Sequence, residues 1–214
     1  MRIIGGIAGG RRLSAPKGLS VRPTPDLVRQ AVFNSLGERV SDAEVLDLFS
    51  GTGALGLECL SRGAKWVTSV EKSSDHARYI RANVRDLELP ADRHELRVQE
   101  AFAAMRSLVS TGARRYDLIM ADPPFGPKTK AGRSSSLSQQ LADAAETATL
   151  LKPGGLLVLG HARRDEVVPS AGWDELRVLT HGDSVFRLLR IRAAASTHES
   201  FTDVTPPTET SAEG

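Results

Sequence analysis

Short apolar runs alternate with amphipathic stretches along most of this chain of 214 residues. The runs Val45 to Phe49, Trp66 to Val70, Leu96 to Val98, Tyr116 to Ala121 and 156 to 160 have the length and aliphatic content of buried parallel strands. Between them, residues 55 to 62, the series Ala77, Ile80, Val84 and Leu87, residues 101 to 109, and the series Leu137, Leu141, Ala145, Ala148 and Leu151 read as helices. Gly63 stops the first of these and Pro153-Gly154-Gly155 the last. Upstream, Thr24-Pro25-Asp26 offers an N-cap, a proline at the first helical position and an acid in the first turn. Leu27, Val28, Ala31, Val32 and Leu36 then mark one helical face, with Gly37 as the stop. That stripe spares Arg22, Thr24, Arg29 and Asn34. At the other end, Glu175 to Thr180 and Ser184 to Ile191 flank a Gly182-Asp183 turn and predict an antiparallel hairpin. Arg2 to Gly6 and Arg11 to Leu13 predict a second, small hairpin at the start. The alternation as a whole predicts an α/β fold with a doubly wound parallel sheet.

The run Val45-Leu46-Asp47-Leu48-Phe49 leads directly into Ser50-Gly51-Thr52-Gly53-Ala54-Leu55-Gly56 and then into a helix. A strand, a glycine turn and a helix N-terminus form a cradle for a nucleotide cofactor, because backbone N–H groups can approach the ligand without an intervening Cβ. Gly51, Gly53 and Gly56 fit the dinucleotide spacing, and Glu71 ends the next strand where a ribose-binding acid belongs. A nicotinamide-dependent oxidoreductase is therefore one reading. Asp47 opposes it, since a carboxylate just before the loop suits the cationic end of a cofactor better than a pyrophosphate.

A second feature has no use in a dehydrogenase. Asp122-Pro123-Pro124-Phe125 follows the strand that starts at Tyr116, so it shares one crevice with the glycine loop. The quartet suits an exocyclic amine, a poor nucleophile until acceptors around its N–H groups favour a tetrahedral nitrogen. The Asp122 carboxylate and the Pro123 carbonyl supply such acceptors, the prolines stiffen the turn, and Phe125 offers a face on which an extruded base can stack.

Charge narrows the partner. The net charge is +2, but residues 193 to 214 hold four acids and no Lys or Arg, which leaves 28 basic against 22 acidic side chains elsewhere, a net of +6. Arg2, Arg11, Arg12, Lys17, Arg22 and Arg29 precede residue 30 with only Asp26 against them. A basic arm of this kind fits a nucleic-acid backbone, and a non-catalytic RNA-binding module would share it. A single cysteine, Cys59, excludes an internal disulfide framework, and the five histidines lack metal-ligand spacing. Trp66 and Trp173 read as packing residues. The start at Met1-Arg2 and the lack of a long apolar run predict a soluble, cytoplasmic protein without a membrane contact. The expected organisation is a basic arm over 1–22, a catalytic domain over 23–192 and a Ser/Thr/Pro/Glu-rich tail over 193–214, expected to be disordered.

At these residues the chain resembles class I S-adenosylmethionine-dependent methyltransferases of amino groups, which share the acidic strand, the glycine loop and an (Asp/Asn)-Pro-Pro-(Tyr/Phe) quartet. More narrowly it resembles the RsmD family, which methylates the N2 amine of one guanine in 16S ribosomal RNA. That likeness rests on Arg2 to Gly6, Gly10 to Leu13, Arg22 to Asp26, Val28-Arg29, Phe33-Asn34, Leu46 to Glu58 and Asp122 to Phe125. The resemblance implies a Rossmann-like sheet of seven strands, S-adenosylmethionine as cofactor, and 16S rRNA, within a small-subunit ribosomal particle, as partner of a monomer. It further implies that Asp47, Ser50, Gly51, Thr52 and Gly53 hold the methionine end, Glu71 the ribose and Gln99 or Glu100 the adenine. Asp122, Pro123 and Phe125 take the guanine, and Asp122 also contacts the cofactor. Arg2, Arg11, Arg12, Lys17, Arg22, Arg29, Lys128 and Lys130 would hold the RNA backbone, with no metal. A DNA adenine-N6 methyltransferase uses the same quartet, though 214 residues leave little room for a separate target-recognition domain.

Overall fold

Strands buried on both faces need a helical layer on each side, and the chain supplies both. The computed structural model describes residues 1–16, 25–112, 114–125 and 134–192. Seven strands form one sheet: β1 Glu44–Leu48, β2 Trp66–Glu71, β3 His94–Val98, β4 Tyr116–Ala121, β5 Leu151–Ala162, β6 Trp173–His181 and β7 Ser184–Ile191. Their order is β3-β2-β1-β4-β5-β7-β6, with the first five parallel and β7 antiparallel to both its neighbours. Period-two alternation sorts each central strand between two cores. Val45, Leu118, Met120, Leu156 and Val158 join one cluster, while Leu46, Leu48, Ile119, Ala121, Leu157 and Leu159 join the other. Helices α1 Asp26–Leu36, α2 Ala54–Ser61 and α3 Ser74–Asp86 cover the first face. The second is covered by α4 Ala101–Thr111, α5 Leu137–Asp143 and α6 Ala145–Leu150.

Four expectations change. The single helix foreseen from Leu137 to Leu151 is broken at Ala144, which adopts an extended conformation. The break frees the carbonyls of Leu141 and Ala142, which accept from Thr147 Oγ1 at 2.7 Å and Trp173 Nε1 at 2.9 Å. Leu151 already belongs to β5, and Pro153-Gly154-Gly155 is a bulge within that strand, between the Tyr116–Leu151 and Leu118–Leu156 pairs. The opening hairpin is reduced to a single bridge, Arg2 with Arg12, around a 3-10 turn at Gly6–Ala8.

The arm nonetheless packs as part of the body. Ile3, Ala8 and Leu13 are buried in the first core. Glu58, a carboxylate inside an otherwise apolar helix, accepts the N–H groups of Ile4 at 2.6 Å and Gly5 at 2.8 Å and pairs with Arg62 at 2.7 Å. Ser61 Oγ donates to the Gly5 carbonyl at 2.6 Å and accepts the Ala8 N–H at 3.0 Å.

The first helix turns inward a face rotated from the one expected, keeping Val28, Val32 and Leu36 and exchanging Leu27 and Ala31 for Arg29 and Phe33. Val28, Val32, Phe33 and Leu36 are buried, whereas Leu27 is 72% exposed. Phe33, the largest apolar side chain of the helix, takes an inward place, and Arg29, one turn earlier, goes in with it. Arg29 is 0% exposed; its Nη2 donates to the Arg2 carbonyl and to Asp26 Oδ1 at 2.7 Å, and its Nη1 lies 3.9 Å from Glu58. It therefore leaves the set of RNA-contacting side chains and becomes an internal brace. Breaking a buried pair leaves an uncompensated charge, so Arg29→Ala should lower unfolding free energy by about 3–5 kcal/mol. Urea denaturation checks this, and a loss under about 1 kcal/mol would match a surface arginine instead.

Candidate active site

A doubly wound sheet opens its crevice where the strand order reverses, beyond the carboxyl ends of the strands. Here that point lies between β1 and β4, whose register pairs Leu48 with Ala121. The glycine loop and the Asp122 quartet consequently leave the sheet side by side.

Asp47 points from β1 toward α2 and is 1% exposed. Its Oδ2 accepts the Gly56 N–H at 3.1 Å, an approach that depends on the missing side chain. A Cβ on Gly56 would stand 2.8 Å from that oxygen and 3.1 Å from Ser69 Oγ. Burial pushes the Asp47 carboxyl up to about 7; the Ser50 hydroxyl and Gly56 N–H oppose this, and the Glu71 and Asp122 carboxylates add to it. Ser50 ties the two strand ends together. Its Oγ donates to the Asp47 carbonyl at 2.8 Å and accepts the Val70 N–H at 3.1 Å, while its own N–H reaches the Val70 carbonyl at 3.0 Å. Gly53 sits in the left-handed region at φ 88° and donates to the Ser50 carbonyl at 2.7 Å. The N-cap Gly53 has no side chain, and Asp47 supplies the acceptor for the Gly56 N–H in the first turn of α2.

Glu71 crosses from β2 to the loop. Oε2 accepts the Gly51 N–H at 2.8 Å and Oε1 the Ser73 N–H at 2.8 Å, with His76 Nδ1 at 3.6 Å from Oε1. Each oxygen retains a further lone pair for a ribose hydroxyl. Glu100 is the N-cap of α4, accepting from Phe102 N at 3.1 Å and Ala103 N at 2.8 Å. Thr52 is half-buried in the loop. Asp122 is half-buried, Pro123 buried, and Phe125 41% exposed. The Asp122 side chain lies over Gly160 of β5, where a Cβ would come within 2.4 Å of Oδ1.

Among the arm residues, Arg2 pairs with Asp26 at 3.1 Å. Arg11 donates to the carbonyls of Asp86 and Leu87 and pairs with Glu88 at 3.5 Å, and Arg12 is exposed. Lys17, Arg22, Lys128 and Lys130 lie outside the described residues, as do Thr24 and the tail.

Sequence reasoning passed over three residues. Phe49, at φ 59°, is strained on the threshold of the loop and meets Phe102 edge to face at 6.4 Å. Glu58 is a lone acid in an otherwise apolar helix, a signal that could have found it. Asn83 occupies the inward stripe between Ile80 and Leu87, where a polar side chain demands partners. A cavity of about 290 Å³ lies at the opposite edge of the sheet, beside Arg39, Asp42, Asp117 and Gly154, away from all of these groups. No helix among the described residues is long and apolar enough to cross a membrane.

Residues 1–190 match the family described as Conserved hypothetical protein 95. Ribosomal RNA small subunit methyltransferase D of Haemophilus influenzae is 29% identical over 188 residues, covering 88% of this chain and 92% of its own length. The Escherichia coli protein of the same name is 38% identical over 125 residues, 58% of this chain and 60% of its own. The chain belongs to the RsmD family of class I S-adenosylmethionine-dependent methyltransferases. This membership displaces the oxidoreductase reading. A hypothetical protein of Thermus thermophilus superimposes with a TM-score of 0.69 at 26% identity, over 89% of this chain and 99% of that one. The T. thermophilus 16S rRNA N2 G1207 methyltransferase RsmC, solved with AdoMet and guanosine, shares the fold at a TM-score of 0.63 and 21% identity, over 82% of this chain and 45% of that one.

Asp47 makes ligand affinity depend on pH in a defined direction. A carboxyl raised on folding favours the native state at low pH, and its contribution is lost as pH rises from about 4 through about 7. A cationic ligand end beside it favours the ionised form and must expel the proton. S-adenosylmethionine affinity should therefore climb by up to tenfold per pH unit toward pH 7 and level off above, as read by isothermal titration from pH 5.5 upward. Uniform affinity below pH 7 would remove Asp47 from contact with the cation.

Proposed function

We propose that this protein transfers a methyl group from S-adenosylmethionine to the exocyclic N2 amine of a guanine in small-subunit (16S) ribosomal RNA. The observation that carries the reading is the pairing of Leu48 with Ala121, which brings the buried Asp47, the glycine loop and the Asp122 quartet to one edge of the sheet. The names of the H. influenzae and E. coli relatives support ribosomal RNA as substrate. S-adenosylmethionine supplies an electrophilic methyl on a sulfonium, which leaves as a neutral thioether.

The chain's own residues position and neutralise. Asp47 and the backbone of Gly51 to Gly53 take the methionine end, Ser50 and Thr52 shape that loop, and Glu71 takes the ribose hydroxyls. Glu100 borders the adenine side through the helix it caps. Asp122 and the Pro123 carbonyl accept from the guanine N2 hydrogens and so favour the rehybridised nitrogen, while Phe125 stacks on the turned-out base. The nitrogen becomes acidic only after it has gained the methyl. Asp122 then accepts its proton and passes it to solvent. Arg12 and Lys17 hold phosphates, assisted by Arg2, Arg22, Lys128 and Lys130. Arg11 contributes its partly exposed charge from a position tied to α3. The protein acts as a monomer on a small-subunit particle in the cytoplasm.

Asp122→Ala should reduce single-turnover methyl transfer by about 10²–10³-fold while cofactor and RNA affinities stay near parental. Asp122→Asn keeps an acceptor oxygen and should lose less. Transfer by Asp122→Ala at the parental rate would reduce the quartet to a turn. Mass mapping of methylated nucleosides in rRNA from cells with and without the protein tests the N2-guanine assignment directly. Neutralising Arg12 and Lys17 together should flatten the salt dependence of RNA binding by about 0.7–0.9 per lost phosphate contact. An unaltered slope would leave those side chains as ordinary surface.

A further inference from the structure

The glycine loop and the N-terminal arm meet at a single buried amide. Asn83 lies on the inner stripe of α3 and is 1% exposed. Its Nδ2 donates to the Thr52 carbonyl at 3.0 Å and to the Ser14 carbonyl at 3.1 Å, and its Oδ1 accepts the Ser14 N–H at 2.8 Å. Thr52 is the middle residue of Gly51-Thr52-Gly53, and Ser14 follows Arg11-Arg12-Leu13. Both hydrogens of the amide are thus used, one on each segment, and its oxygen closes a two-bond pairing with Ser14. The same helix holds the arm a second time, where the Arg11 guanidinium takes the carbonyls of Asp86 and Leu87 at the C-terminal end of α3.

No other side chain type fits this junction with the same economy. An aspartate would lack both donors, and a leucine of similar size would strand the Thr52 carbonyl and both Ser14 groups. The link is also directional in its consequence. The Gly51 and Gly53 N–H groups on either side of Thr52 are held by Glu71 and the Ser50 carbonyl, so a ligand seated against the loop fixes the backbone around Thr52, and Asn83 carries that constraint to the backbone that bears Arg11 and Arg12.

We propose that Asn83 is a positioning residue that couples occupancy of the glycine loop to the arm's grip on RNA. This rests on the reading above, in which the loop holds S-adenosylmethionine and the arm holds RNA. Linkage requires the effect to be reciprocal: whatever factor the cofactor adds to RNA affinity, RNA adds to cofactor affinity.

The experiment uses S-adenosylhomocysteine, which leaves the RNA unmethylated, and small-subunit ribosomal particles from cells lacking the protein. Particle affinity is measured with and without saturating S-adenosylhomocysteine, and S-adenosylhomocysteine affinity with and without particles. The parental protein should show the same gain in both directions, about fivefold or more. In Asn83→Ala the gain should fall to about one in each direction. A residue that merely supports the fold would lower the affinities and leave their ratio in place. Ser14→Pro removes the N–H that Asn83 accepts, together with the serine hydroxyl, and leaves both groups of the Asn83–Thr52 bond in place; it should also diminish the ratio, and it decides the matter if Asn83→Ala fails to fold. Parental binding of both ligands without mutual gain overturns the coupling alone, as does a full gain retained in either variant. A parental protein that binds S-adenosylhomocysteine but no particle overturns the functional reading, and the coupling falls with it.

Discussion

The buried carboxylate of Asp47 against the Gly56 N–H is the contact on which the rest of the crevice depends. It brings the start of α2 down onto β1, and this approach exists because Gly56 lacks a side chain. With α2 in that place, Gly53 can turn the chain in the left-handed region and the helix N-terminus opens toward the sheet edge. An ionisable group buried this deeply favours its neutral form unless a cation arrives. Burial thus raises the Asp47 carboxyl to about 7, and the same residue organises the loop through Gly56.

Two further carboxylates extend the frame outward. Glu71 joins the end of β2 to Gly51, and Glu58 holds the backbone of Ile4 and Gly5 against the far side of α2. Each accepts from backbone N–H groups, so each positions main chain. The arm is in this way clamped to the helix that begins at the cofactor loop. Asn83 completes the circuit from the other side, through α3. The glycine loop and the N-terminal arm therefore share buried polar partners as well as a hydrophobic core.

The structure also separates side chains that look alike in sequence. Arg29 and Arg12 are both arm arginines, yet Arg29 is sealed against Asp26, Glu58 and the Arg2 carbonyl, whereas Arg12 is exposed. Arg11 lies between these extremes, its guanidinium tied to a helix C-terminus. A count of basic residues overstates the charge that the arm presents to a phosphate backbone. The excess serves to neutralise buried acids and helix ends, which hold the arm in place.

The sequence by itself determined the alternation of strands and helices, the glycine loop, the terminal hairpin and the placement of Asp47, Glu71 and Asp122 at strand ends. These are legible because periodicity, glycine spacing and a proline quartet are local signals, each imposed by backbone geometry within a few residues. The break at Ala144 and the bulge at Pro153-Gly154-Gly155 were not legible, because Trp173 and the register with Tyr116 stabilise them from a distance. The inward turn of Arg29 was hidden for the same reason: a stripe containing Leu27 and one containing Phe33 are both sound helical faces, and only packing against the sheet chooses. Glu58 and Asn83 are polar residues on apolar faces, a signal that the sequence reading passed over. What they hold could be seen only once the arm had folded back onto the helices, since a buried hydrogen bond between segments more than fifty residues apart leaves no periodic trace.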